Sequence, residues 1–364
     1  MARKRQSFFT EKEMRRLLRV KSYQNYVHMP NEIYSDFSSA FAELKDETDV
    51  NTRSSHVAYA FCYTFLAHYM WRYAQYYSWD DKKGEVPINE AIIKQLLGFP
   101  AKSEAYTYLT KNKVGILEQI GYIRKVTDKP ISYYWDEDGI ELYFEMESES
   151  NSPKRTNHKG WKVAMPIKGI WRKPEDATTS GYETGTFHLL DNTHMVHIET
   201  FIFCITHPEL GVEGFYLYCF LCSQFDKFPR GYDCSKQRMA RLTGLSIDEV
   251  KKQLENLERY NMITNDHKPW CYDKPDDKET KANTYTVLDY SEFAHNLMQL
   301  NTIPKQRRIS AEEYERTIGW ANEKEIADNI VDINTGEIIR PAEPKFSVEN
   351  IDISDLDDLP FDFR

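Results

Sequence analysis

The chain has 364 residues with 41% apolar and 14% aromatic content, long enough for two or three folded units and too apolar to be disordered throughout. Its net charge of −10 speaks against a uniformly basic nucleic-acid coat, because phosphate neutralisation by Lys and Arg supplies most of that affinity. No run approaches the roughly 18 apolar residues of a membrane span, no P-loop, G-x-S-x-G or G-x-G-x-x-G is present, and six scattered cysteines without a secretory signal read as reduced thiols in a cytoplasm.

The two ends differ in charge. Residues 1–21 carry eight Lys or Arg and two Glu, so residues 1–24 read as a basic arm that turns into a short amphipathic helix through Met14, Leu17 and Leu18. Residues 26–30 (YVHMP) suit a strand ending at Pro30. Residues 57–77 (VAYAFCYTFLAHYMWRYAQYY) hold many aromatics and few charges, the mark of a helix buried on most of its circumference. A strand at 85–88 follows, then a helix from 89 to 97 capped by Asn89 and stopped by Gly98. A further helix starts at Ser103 and leads to GYIRKV and IELYFEM, which alternate as a hairpin would.

The same order recurs further on. YVHMPNEIY resembles MVHIETFIF at 195–203, the long apolar helix returns as GVEGFYLYCFLCSQF at 211–225, YDCS is the short strand, and MITND with NTYTVLDY forms the closing hairpin. The chain reads as an internal duplication: a first winged-helix domain at 25–146, a linker with some strand content at 147–186, and a second winged-helix domain at 187–303. Residues 304–364 read as a polar helical segment and an acidic disordered tail. The fold class expected is mainly α with small β wings, an α+β arrangement of tandem winged helices.

The second copy carries the sharpest motif, CSKQRMARLTGLSIDEVKKQLENLERYNMIT at 234–264. Ser235 suits the cap of one helix and Gly244 its end. Ser246 with Glu249 suits a capping box for the next, with Ile247, Val250, Leu254 and Leu257 on its apolar face. Asp248, Lys252, Glu255, Asn256 and Arg259 then face outward. A helix, a glycine turn and a helix with an outward polar face is the arrangement that enters a major groove. Lys252, Asn256 and Arg259 are the candidate base readers; Ser235, Lys236, Gln237, Arg238 and Arg241 are the candidate phosphate contacts. In the first copy Lys102, Ser103, Tyr106, Lys111 and Lys113 hold analogous places. Each is weighed against the plainer reading of a solvated surface charge, and Asp248 and Glu255 favour that reading.

Two metal-like patterns carry less. Cys219 and Cys222 have CxxC spacing inside an apolar helix, which reads as helix core. His194 and His197 in HMVH are separated by two residues, where a nicking enzyme's His-hydrophobe-His motif has one. No metal, cofactor or catalytic residue is expected. At the far end Leu359, Pro360 and Phe361 sit in DDLPF, which resembles the acidic tip of bacterial single-stranded-DNA-binding proteins and implies a partner-docking peptide as the alternative to a solvated tail.

SKQRMARLTGLSIDEVKKQLENLERYNMI together with the preceding FYLYCFLCSQF helix resembles the replication initiator and organiser proteins of phages and plasmids of low-GC Gram-positive bacteria, including the DnaD-like winged-helix group. The resemblance covers the second copy well and the first only by pattern. It implies sequence-specific binding of double-stranded DNA at an origin and recruitment of host replication proteins, with a second copy of the chain as a further candidate partner. The same motif grammar serves transcription and partition regulators, and the acidic balance would suit a protein-interaction adaptor.

Overall fold

A computed structural model describes residues 7–47, 54–80, 84–138, 142–150, 161–173, 176, 183–225, 227–294 and 300–322. The distal tail with Leu359, Pro360 and Phe361 lies outside the described residues, as do Arg3, Lys4 and Arg5 of the arm.

The molecule is built outward from two apolar helices. Helix α3 (Ser54–Arg72) is buried at every position from Val57 onward, and α9 (Gly211–Phe225) is buried over nearly its whole length. Neither has a polar face to give to water, so each covers the other. Phe65 meets Phe215 with ring centroids 5.1 Å apart and Phe61 meets Tyr216 at 5.2 Å. Two further elements repeat across this pair. Strand β1 (Tyr26–Pro30) runs antiparallel to β8 (Thr193–His197), with Val27 opposite Val196, Tyr26 opposite His197 and His28 opposite Met195. In the sequence correspondence Val27 matches Val196, Tyr26 matches Met195 and His28 matches His197. Exchanging the two halves therefore maps this ladder onto itself.

After each of these strands comes a helix, α2 (Ile33–Glu47) and α8 (Ile198–Thr206). Residues from both halves then join one cluster of buried side chains, from Met14 of α1 (Glu11–Leu17) to Phe293 of α12 (Tyr290–Phe293). The boundaries expected at 25–146 and 187–303 do not separate two cores. The stretch 147–186, expected as a linker, contributes β7 (Val163–Pro166), which pairs antiparallel with β4 (Ile123–Val126), and α7 (Ile167–Ile170). The expected pairing of GYIRKV with IELYFEM does not form. Instead β6 (Leu142–Met146) pairs with β5 (Pro130–Trp135), a hairpin with no equivalent among the described residues of the second half. The strand expected at 85–88 is β3 (Gly84–Pro87), which pairs with β2 (Tyr77–Asp80).

The architecture is mixed α and β with small sheets. Among the described residues no helix is long and apolar enough to cross a membrane.

Candidate nucleic-acid interface

The motif of the second half folds locally much as its caps dictate. In α10 (Lys236–Thr243) the Ser235 hydroxyl accepts from the Arg238 amide at 3.1 Å, and the helix stops at Gly244 in the left-handed region, φ 68°. That conformation disfavours any side chain with a Cβ, which is why glycine stands there. Helix α11 (Ile247–Arg259) starts at Ser246, whose hydroxyl accepts from Glu249 N at 3.2 Å. The other half of the expected capping box is not made. The Glu249 carboxylate takes Lys252 Nζ at 3.0 Å and Gln253 Nε2 at 2.8 Å, and the Ser246 amide donates instead to Ser54 Oγ, at the start of α3, at 2.9 Å.

Behind the two helices lies a three-stranded antiparallel sheet in the order β10 (Ile263–Asp266), β12 (Asn283–Val287), β9 (Tyr232–Cys234). Its base is fastened to α11 through Glu258, which takes His267 Nε2 at 2.8 Å and Asn265 Nδ2 at 3.3 Å. The Asn301 amide closes the far end of α11 by donating to the Arg259 carbonyl at 2.8 Å.

Helix α10 contains no acidic residue; its cations Lys236, Arg238 and Arg241 are half-buried and Gln237 is exposed. One side of it is covered by α2, where Ser38 Oγ donates to the Arg241 carbonyl at 2.9 Å. The outward stripe of α11 consists of Asp248, Lys251, Lys252, Glu255 and Arg259, all exposed. Lys251 was not among the sequence candidates, although its spacing from Asp248 and Glu255 puts it on the same stripe. Asn256 has to be withdrawn as a base reader: it is buried, and its Nδ2 donates to the Glu209 carbonyl at 2.7 Å. Its place is the margin of the stripe, where the loop before α9 reaches it.

The first half departs further. Helix α4 (Glu90–Leu96) is capped by Asn89 as expected, but the helix expected from Ser103 is two short turns, α5 (Thr107–Thr110) and α6 (Ile116–Gln119). Between them Lys113 has φ 68° and Gly115 lies so close to Lys111 that a Cβ there would meet its backbone at 2.7 Å. Tyr106 is withdrawn too: it stacks on Tyr59 at 4.4 Å and packs on Phe99, inside the core. Lys102, Lys111 and Lys113 are exposed and Ser103 half-buried, but all four stand in connecting segments, with no continuous helix to hold them in one face. Glu90, which begins α4, instead joins an internal network with Lys125 Nζ at 2.9 Å, Thr110 Oγ1 at 2.8 Å and Tyr63 OH at 2.9 Å. Burial opposes its ionisation, and Lys125 with these hydrogen bonds outweighs burial, so the carboxyl sits below its usual range.

The HMVH histidines occupy the seam between the halves. His194 is fully buried, its Nδ1 facing Asn31 Oδ1 at 2.8 Å and its Nε2 facing Tyr34 OH at 2.9 Å. A neutral ring satisfies both, donating to the amide oxygen and accepting from the phenol. Burial, then the neighbouring charges of His28 and Lys227, drives its pKa down to about 3. His28 and His197 line an adjoining cavity of about 650 Å³ with Thr200, Tyr218 and Cys222. Among the described residues no group of three His, Cys, Asp or Glu is placed to hold a metal ion.

No protein family, no curated protein and no solved structure matches this chain.

Proposed function

We propose that this chain is a sequence-specific double-stranded DNA-binding protein built on tandem winged-helix units, which initiates phage or plasmid replication by binding an origin and recruiting host replication proteins. The observation that carries the binding is the acid-free basic helix α10, joined through the left-handed Gly244 turn to α11 with a three-stranded sheet behind them. In this reading Ser235, Lys236, Gln237, Arg238 and Arg241 hold phosphates, while Lys251, Lys252 and Arg259 reach base edges. The replication role rests on the resemblance of the motif alone, and a transcription or partition regulator would use the same helices.

A second reading, a protein-interaction adaptor, is favoured by Asp248 and Glu255 in the outward stripe and by the net charge of −10. Titrating salt against binding of random duplex separates the two. Phosphate contacts give a log–log slope of about −0.9 per phosphate neutralised. Lys252→Glu or Arg259→Glu is expected to weaken binding about tenfold, and the same reversal at the exposed Lys173 about twofold or less. Absence of duplex binding at low salt would leave the adaptor. A footprint around the protein's own gene then separates an origin, with repeated sites, from a single promoter.

A further inference from the structure

The loop between β10 and β12 joins residues 308–317, beyond β12, in a small module of its own. Strand β11 (Trp270–Cys271) pairs in parallel with β13 (Arg308–Ile309), and α13 (Ala311–Thr317) packs against them. Cys271, Ile309 and Tyr314 form a core apart from the main one. Side chains alternate along a strand, so burying Cys271 turns both its neighbours outward. Trp270 is 45% exposed and Tyr272 57% exposed. The Arg308 guanidinium, opposite Trp270 in the ladder, lies 4.6 Å from its ring centroid.

The backbone that carries these rings is hydrogen-bonded on both sides of Cys271. The Trp270 amide donates to the Arg307 carbonyl at 2.8 Å, the Tyr272 amide to Ile309 at 3.2 Å, and Gln306 Nε2 to the Lys268 carbonyl at 2.9 Å. Two large exposed rings side by side at this short ladder form the kind of patch that marks an interaction site. Their spacing points to its occupant. Tyr272 stands one position past β11, where its amide still bonds the Ile309 carbonyl; residues two apart in extended backbone are about 6.6 Å apart, roughly twice the 3.4 Å rise of stacked bases. Successive bases can lie on both rings only when the strand is stretched and unpaired, and a duplex cannot present them so.

We propose that Trp270, Tyr272 and Arg308 form a stacking site for the bases of single-stranded DNA, with the exposed Lys305, three positions before Arg308, as a cation for phosphate. Acids flank both exposed aromatic patches, Asp136, Glu137 and Asp138 after Tyr134 and Trp135 on the β5–β6 hairpin and Asp273, Asp276 and Asp277 after Tyr272; here Asp273 takes the Ala311 amide at 2.6 Å, and Lys274 and Arg308 stand beside the rings in sequence and ladder. The proposal goes beyond duplex binding by α10 and α11, and separate probes distinguish them.

The test uses the full chain with a labelled oligothymidylate of about 16 nucleotides and a random duplex of the same length, read by fluorescence anisotropy at low salt. The wild type should bind the oligothymidylate. Trp270→Ala with Tyr272→Ala should weaken that binding about tenfold or more, and Trp270→Phe with Tyr272→Phe should restore it to within about threefold. Duplex affinity should stay within about twofold in both double variants, and unchanged unfolding temperatures show that they fold. The proposal is overturned if the wild type leaves the oligothymidylate unbound, as it would if the rings dock a protein. It is also overturned if the alanine variant binds like wild type, or if both probes lose affinity equally.

Discussion

Asn256 shows how narrow the margin is between a reading side chain and a structural one. It lies one position from the exposed Glu255 on α11, and the Glu209 carbonyl takes its amide. Asn256→Ala removes that hydrogen bond and leaves the carbonyl without its donor, costing about 1–2 kcal/mol of stability. Its expected effect on duplex affinity, measured below the unfolding temperature, is under about twofold; a tenfold loss would return it to the interface. His194 is a second such case. It and His68, whose pKa burial lowers to about 4, stay neutral when folded, whereas in the unfolded chain each protonates near 6.5. A depressed imidazole gives stability that is complete above the unfolded value and is lost as pH falls towards the folded one. Urea unfolding at pH 7 and pH 5 should therefore differ by about 2 kcal/mol for each imidazole. Equal stability at the two values would show that neither ring is held neutral.

The helices of the two halves have been put to different uses. In the second half, serine caps and a left-handed glycine deliver α11 whole, with a stripe of exposed charge. In the first, the corresponding stretch is broken at 111–115, and Glu90 at the head of α4 is drawn into the network with Lys125. A broken helix cannot follow a groove, so Lys111→Glu with Lys113→Glu should change duplex affinity less than Lys252→Glu alone, with both compared in one titration. The reverse order would make the first half the reader. Much of the second half was legible in its residues: Ser235, Gly244 and Ser246 act locally, and α9 follows from its apolar content, in which Glu213 is the one charge. The partner of β4 was not legible, since β7 lies 37 positions beyond its end, inside a stretch whose Ser, Thr, Asn and Pro content reads as linker.

One buried cluster runs through both halves, so the molecule should unfold as one unit. A single calorimetric transition, with coincident urea curves by fluorescence and circular dichroism, is expected; two resolved transitions would mean that the halves hold themselves. Local signals in the chain were enough for the caps at Asn89, Ser235 and Ser246, the stop at Gly244 and the apolar character of α3 and α9, because each depends on neighbours a few positions away. Pairings over long separations were decided only when the chain closed: Val27 against Val196, Ser54 on Ser246, Asn256 under Glu209 and β11 beside β13. Side chains with the same local periodicity then divide into core and surface according to what packs over them. That division separates Tyr106 and Asn256 from Lys252 and Arg259 in the motif, and it is the reason that the outward stripe of α11 could be drawn correctly only in three dimensions.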